Sequence, residues 1–405
     1  MTLYRLEIAN PSKTYFALTQ LGFRPFFLSA IGFAIVGMLL WIALYSLHWQ
    51  GLPHTYPAIT WHAHEMLFGY ILAVIAGFLL TAVRNWTSIQ TLHGWTLLGL
   101  VVLWLLARLL PFTSIPLFIT ALVDLSFMLL LLTAVAWPII KVKQWVQIGI
   151  VGKLALLTLA NTIFYLGLLG IWQAGIQVGI YASFYLIIAL ILTMGRRVIP
   201  FFIEKGVGIA FKARNNIWID RFSLALFLLF VIAELVWLST GKSIAEGLSI
   251  LLAVLQIPLH TWRLWAWYHP VIWKKPLLWV LYVAYIWLVL GFLLKVISSF
   301  LGLSPWLAIH SFAYGGMGMV TAGMMARVSL GHTGRNVFEL PKLLKSSFLL
   351  LLLGCITRVI IDALMPQWHL IWILISQFLW VFAFGILLVI YFPILIKSRI
   401  DGKDG

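Results

Sequence analysis

Charge is what this chain has least of. Of its 405 residues only 9% are Asp, Glu, Lys or Arg, where a soluble protein carries roughly a quarter. That shortage excludes a conventional water-exposed surface. A single cysteine, Cys355, sits inside an apolar run, which excludes an intramolecular disulfide and a thiolate metal cluster. No interior stretch is polar enough to form a soluble domain or a disordered linker. The opening segment is mixed and polar and lacks the apolar core of a cleavable signal peptide, so the first span is expected to act as its own anchor. Acids are the scarcest charge, 11 against 27 bases, leaving a formal net charge of +16.

What the chain does have is apolar length. Hydrophobic residues make up 63% of it and the mean hydropathy is +1.05. Apolar runs reach about 20 residues, enough to cross a hydrocarbon core of ~30 Å as helix. Runs such as "LLGLVVLWLLARLL" and "FSLALFLLFVIAELVWL" do not alternate as barrel strands would. Helices satisfy their own backbone groups in lipid, so the fold class expected is an all-α polytopic membrane helix bundle. Twelve transmembrane spans are predicted, at 27–47, 62–83, 94–110, 115–137, 146–169, 175–195, 219–239, 246–267, 276–298, 305–327, 344–362 and 370–394. They form one transmembrane helix-bundle domain, 1–405, whose longest connection is 196–218.

The bases fall into alternate connections. Arg5, Lys13 and Arg24 precede span 1, the 196–221 region carries six, and Lys397, Arg399 and Lys403 close the chain; only Arg108, Lys153, Lys242, Lys295 and Arg358 break the pattern. By the positive-inside rule both termini are expected in the cytoplasm. The basic excess is therefore read as topological, with the lipid bilayer as partner and no nucleic acid. Tryptophans such as Trp41, Trp49 and Trp237 read as an interfacial belt.

On that topology six of the ten histidines, His48, His54, His62, His64, His310 and His369, approach the outer face. "WHAHEMLFGY" (61–70) opens span 2 with His62, His64 and Glu65. At ~100° per residue the two histidines diverge by roughly 200°, so they serve different partners. His62, Glu65 and Met66 are expected on one face and His64 with Trp61 and Phe68 on another. Imidazole suits haem iron and copper. Matching depth makes His64 and His310 the expected haem pair, with His62 a copper or neighbouring residue; His260, deeper in span 8, is a further metal candidate. The bland alternative is histidines bonding other helices or headgroup water. Arg108 and Arg358 lie at the same level and could meet haem propionates, although Asp362, one turn from Arg358, is a simpler partner. Asp124 and Glu234 are further acids within spans, candidates for proton movement or helix pairing.

Span 10, "HSFAYGGMGMVTAGMMARVSLGHTGR", sets Gly315, Gly316, Gly318, Ala322 and Gly323 at spacings that admit another helix or a flat cofactor. Its closing "GHTGR" (331–335) could cradle an anion or simply turn the chain.

Four segments in order, "LGFRPFFLSA", "WHAHEMLFGY", "GRRVIPFF" and the span-10 stretch, resemble the NnrS family. The resemblance implies a bacterial inner-membrane protein associated with haem and copper, connected to nitric oxide metabolism, denitrification and resistance to nitrosative stress. The shared motifs fall on Arg24, His62, His64, Glu65, Arg196, His310, His332 and Arg335. Neither a reaction nor an electron donor follows from it. Two other classes stay open: a haem–copper respiratory enzyme, disfavoured because the sequence has no adjacent His-His pair, and a proton-coupled secondary transporter using Glu65, Asp124, Glu234 and histidines, for which no repeat between the halves is evident.

Overall fold

The computed structural model describes residues 16–53 and 56–402; Arg5, Lys13, His54 and Lys403 lie outside them. Twelve long helices run through the described residues: α1 (Phe23–Ser46), α2 (Ala58–Thr87), α3 (Gly94–Phe112), α4 (Leu117–Lys141), α5 (Trp145–Leu168), α6 (Gly175–Val207), α7 (Ile217–Thr240), α8 (Ser243–Trp267), α9 (Pro276–Leu301), α10 (306–332), α11 (Leu344–Leu364) and α12 (Pro366–Ile396). They contain no strand. Each expected span has its helix, most ends shifted by a few residues; the exception is span 6, expected to end at 195, whose helix runs on to Val207 and takes up much of the connection expected at 196–218. Eleven are long and apolar enough to cross a membrane. The exception is α10, diluted by glycine and hydroxyl residues. It lies almost wholly buried among its neighbours, which shield the polar content that lipid would penalise.

Connections are short and consecutive helices pack side by side, while α1 also packs on α12 and closes the bundle. Boundaries follow local chemistry. The Asn216 side chain accepts from the Trp218 and Ile219 N–H groups and caps α7. Gly208 and Gly302, at φ +80° and +64°, end α6 and α9 in the left-handed conformation that glycine adopts without strain.

The glycines of α10 do admit a close approach, and what approaches is a helix. A Cβ on Gly315 would meet Trp287 of α9 at 2.3 Å, one on Gly323 would meet Val280 at 2.7 Å, and one on Gly318 would meet Trp380 of α12 at 2.7 Å. The two ends of the bundle sequence meet at one face. Arg24, at the start of α1, donates to the carbonyls of Leu395 and Lys397 at the end of α12 (2.8 and 2.7 Å). Arg399 donates to the His332 carbonyl (3.0 Å) and His332 packs on the Phe23 ring.

Candidate functional site

At the opposite end a cavity of about 520 Å³ opens between α1, α2, α6, α10, α11 and α12. Its wall is mostly apolar and aromatic, with a few polar side chains converging on it, the composition expected of a small-molecule or cofactor site. The local backbone marks the same place. Four helices contain π-helical turns, Ile42–Ser46 in α1, Glu65–Ile71 in α2, Ser311–Gly318 in α10 and Thr357–Ile361 in α11. Each supplies residues to the cavity wall, among them Tyr45, Met66, Tyr70, Met317 and Arg358. These are the only π turns among the described residues. A π turn gives up regular i→i−4 bonding and commonly accompanies a functional site.

His62 and His310 both line this cavity. His62 lies flat on Trp41, ring centroids 4.3 Å apart, and its Nδ1 is buried without a hydrogen-bond partner. Trp41 is thus a buried wall residue and not part of an interfacial belt. The His310 Nδ1–H donates to the Trp306 carbonyl (2.8 Å). That bond fixes the tautomer and leaves the Nε2 lone pair for a ligand, the orientation that metal-binding histidines usually have. Arg358 donates to Asp362 (2.7 Å), as its one-turn spacing predicted, and Asp362 also holds His369 (2.7 Å). Sequence reasoning missed Gln377. Its side chain is 4% exposed, lines the cavity, and has neither amide atom bonded. Such groups are costly to bury unpaired, and no sequence motif distinguishes this glutamine from one that packs elsewhere.

His64 lies elsewhere. Its Nδ1 is 3.2 Å from Glu65 Oε1 and its Nε2 is 3.0 Å from Asn161 Oδ1, with Asp124 Oδ2 at 3.5 Å. Phe164 stacks on the ring at 4.3 Å between centroids. Arg108 donates to Glu65 (3.1 Å) and to Asp124, and Tyr165 and the Asn161 amide complete the Asp124 carboxylate. Both His64 nitrogens are therefore taken up by neighbouring oxygens. This cluster of α2, α3, α4 and α5 is fully buried and takes no part in the cavity wall. The expected His64–His310 pairing is not formed; the cavity brings His310 to His62. Glu65 likewise parts from His62 and Met66. On the helical wheel it falls between the two histidines, and the Arg108 guanidinium draws it to the His64 side. Arg108 is consumed by these acids, so of the two expected propionate partners only Arg358 reaches the cavity.

Comparison with known families finds a match to the NnrS protein model over residues 17–399, nearly the whole chain. The chain belongs to the NnrS family. Membership associates it with nitric-oxide-related processes. No curated protein matches it.

The NnrS motif residues divide into four groups in the fold. His62 and His310 line the cavity, while His64 and Glu65 build the buried cluster. Arg24, His332 and Arg335 gather at the far end, where "GHTGR" forms a turn: a Cβ on Gly334, at φ +75°, would meet the Asp401 carboxylate at 3.0 Å, so an acid already backs it. Arg196 belongs to a separate network below α7, sharing Asp220 with Arg263 (2.9 and 2.8 Å). Arg263 also donates to the Tyr285 hydroxyl (3.0 Å), and His260 bonds Tyr285 (2.6 Å) and Gln256 (2.9 Å). His260 is thereby held in a hydrogen-bond network of its own and does not line the cavity. Lys295, one of the bases that break the charge pattern, pairs with buried Glu234 at 2.7 Å. Among the described residues no group of three or more His, Cys, Asp or Glu side chains is close enough to hold a metal ion.

The side chains lining the cavity are nevertheless of the kinds that a haem would use. The cavity offers two imidazoles with unused nitrogens, a guanidinium, flat aromatic walls and no competing acid pair inside. Copper would have to draw on the same two histidines and the thioethers of Met66 and Met317, which suit its cuprous form.

Proposed function

We propose that the chain is a haem-binding membrane protein of nitric oxide metabolism, with the group held in the cavity by His310 and His62. The observation that carries this reading is the pair of imidazoles on facing helices, each with an unused ring nitrogen, in the one place where four helices abandon regular α geometry. Bound there, haem iron would supply a binding site for nitric oxide or a nitrosyl species once one of the two imidazoles gives up its place. Arg358 would meet a propionate while Asp362 holds it in place, and Gln377 would offer a hydrogen bond to whatever the iron carries. The rest of the wall is mostly aromatic and aliphatic. The positive-inside pattern orients the cavity toward the outside of a bacterial inner membrane, with both chain ends cytoplasmic. Copper is proposed only as a second occupant of the same donor set.

An absorption spectrum of protein produced with ample haem tests this. A Soret band is expected in the wild type, lost in His62→Ala and His310→Ala and retained in folded His64→Ala. A haem-free wild type overturns the reading, and loss only in His64→Ala overturns the ligand assignment. A proton-coupled transporter remains the second reading, favoured by the buried Glu65–Arg108–Asp124–His64 cluster beside the cavity. Solute uptake by proteoliposomes containing haem-free protein would decide for it.

A further inference from the structure

A second cavity, about 280 Å³, lies at the end of the bundle opposite the histidines. The connection from α8 to α9, the last turns of α10 and the approach to α11 enclose it. Lys274, Lys275, Arg327, Lys342 and Lys345 line it, and no acid does. Among the described residues no carboxylate lies within ion-pair distance of any of the five. Glu339, the acid of the same connection, is exposed and outside the lining. The two least exposed cations rest on rings: the Arg327 guanidinium is 4.0 Å from the Phe202 centroid and the Lys275 ammonium 5.9 Å from that of Phe338. Rings attract cations without neutralising them.

The frame around these charges is stiff. Pro276 opens α9 and Pro341 precedes α11, fixing the backbone on two sides. The first turn of α9, which has no side-chain cap, faces the same space with Leu277 and Leu278. The positive end of a long helix there adds to the field. Five like charges lining one pocket repel one another, and a multiply charged anion seated among them relieves that repulsion.

We propose that this basic pocket is a binding site for a phosphate-bearing anion. Ammonium groups serve phosphate as point charges and a guanidinium as a fork. Basic pockets between membrane helices take lipid phosphates in this way. Exposed Trp273, Phe338 and Leu343 beside the pocket would lie against the chains of a lipid whose headgroup fills it. The inference does not depend on the reading of the histidine cavity.

The full-length protein in neutral detergent provides the test. One arm titrates the lipid cardiolipin, with phosphatidylcholine as control, and follows retention by native mass spectrometry. The other titrates inorganic pyrophosphate and follows the thermal midpoint. Cardiolipin retained in preference to phosphatidylcholine identifies a lipid headgroup, and a pyrophosphate-dependent rise identifies a soluble phosphate. Either response is expected to weaken about fivefold for each cation removed, in Arg327→Gln and in the triple variant Lys274→Gln, Lys342→Gln, Lys345→Gln. The triple variant alters only exposed positions and keeps the test valid should Arg327→Gln fail to fold. Binding of neither probe, or equal binding by the triple variant, overturns the proposal.

Discussion

His62 and His64 stand two residues apart on one helix and have opposite fates. His64 is enclosed by Phe68, Phe164 and a complete set of acceptors, so nothing is left for a ligand. His62 lies on Trp41 with a bare nitrogen beside an open volume. The difference teaches that saturation, not residue type, separates a structural histidine from a binding one. A buried polar group that has spent its bonds holds helices together. One that has not is waiting for a partner, because an unmade buried bond costs more than a made one returns.

The comparison breaks most visibly on the saturated side. Arg108→Leu leaves Glu65 and Asp124 buried without their guanidinium, and is expected to cost about 3–5 kcal/mol. Fluorescence-detected chromatography after a heating series would show it as an early loss of monodisperse protein. An unchanged profile would mean that the cluster does not fasten α2 to α3 and α4. On the open side, His310→Ala should remove the bound group while leaving the heating profile close to wild type, read as haem content per folded molecule. Gln377→Leu is a subtler probe. Removing an amide with two unmet bonds should leave the empty protein as stable or slightly more so, while ligand affinity falls roughly three- to tenfold, the worth of one neutral hydrogen bond; equal affinity in a ligand titration would deny it any role in binding. The smallest effect belongs to His332→Ala at the far end. It forfeits one ring contact with Phe23, worth about 1 kcal/mol, and should leave the cavity spectrum unaltered.

The far end also shows the two uses of cations. Arg399 is anchored by the Asp401 carboxylate (2.6 Å), which holds its proton more tightly than in a free arginine. Arg335 has no such acid in contact, and partial burial lowers its pKa. The pocket around Arg327 likewise sets five cations together with no acid in its lining.

Much of the fold was legible from the chain. Apolar runs of membrane length, broken by short polar connections, placed all twelve helices, because hydrocarbon leaves backbone polar groups no other partner than their own helix. Even span 10 was found, although its hydropathy is low, because its small residues read as a packing face. The i,i+4 pair of Arg358 and Asp362 was legible for the same reason: a partner on one's own helix is fixed by the helix. The divergence of His62 and His64 followed from 100° per residue alone.

Which partner each face would meet was decided only in three dimensions. Depth in the membrane put His64 and His310 at one level, yet level says nothing about azimuth, and the packing of α4 and α5 turned His64 away from α10. Glu65 could have joined either histidine, and the strength of a buried guanidinium–carboxylate contact chose. The π turns arose where four helices bend around a volume that none of them encodes singly. Local composition therefore determined which segments span the membrane, and the order of packing determined which polar groups were satisfied and which were left open to bind.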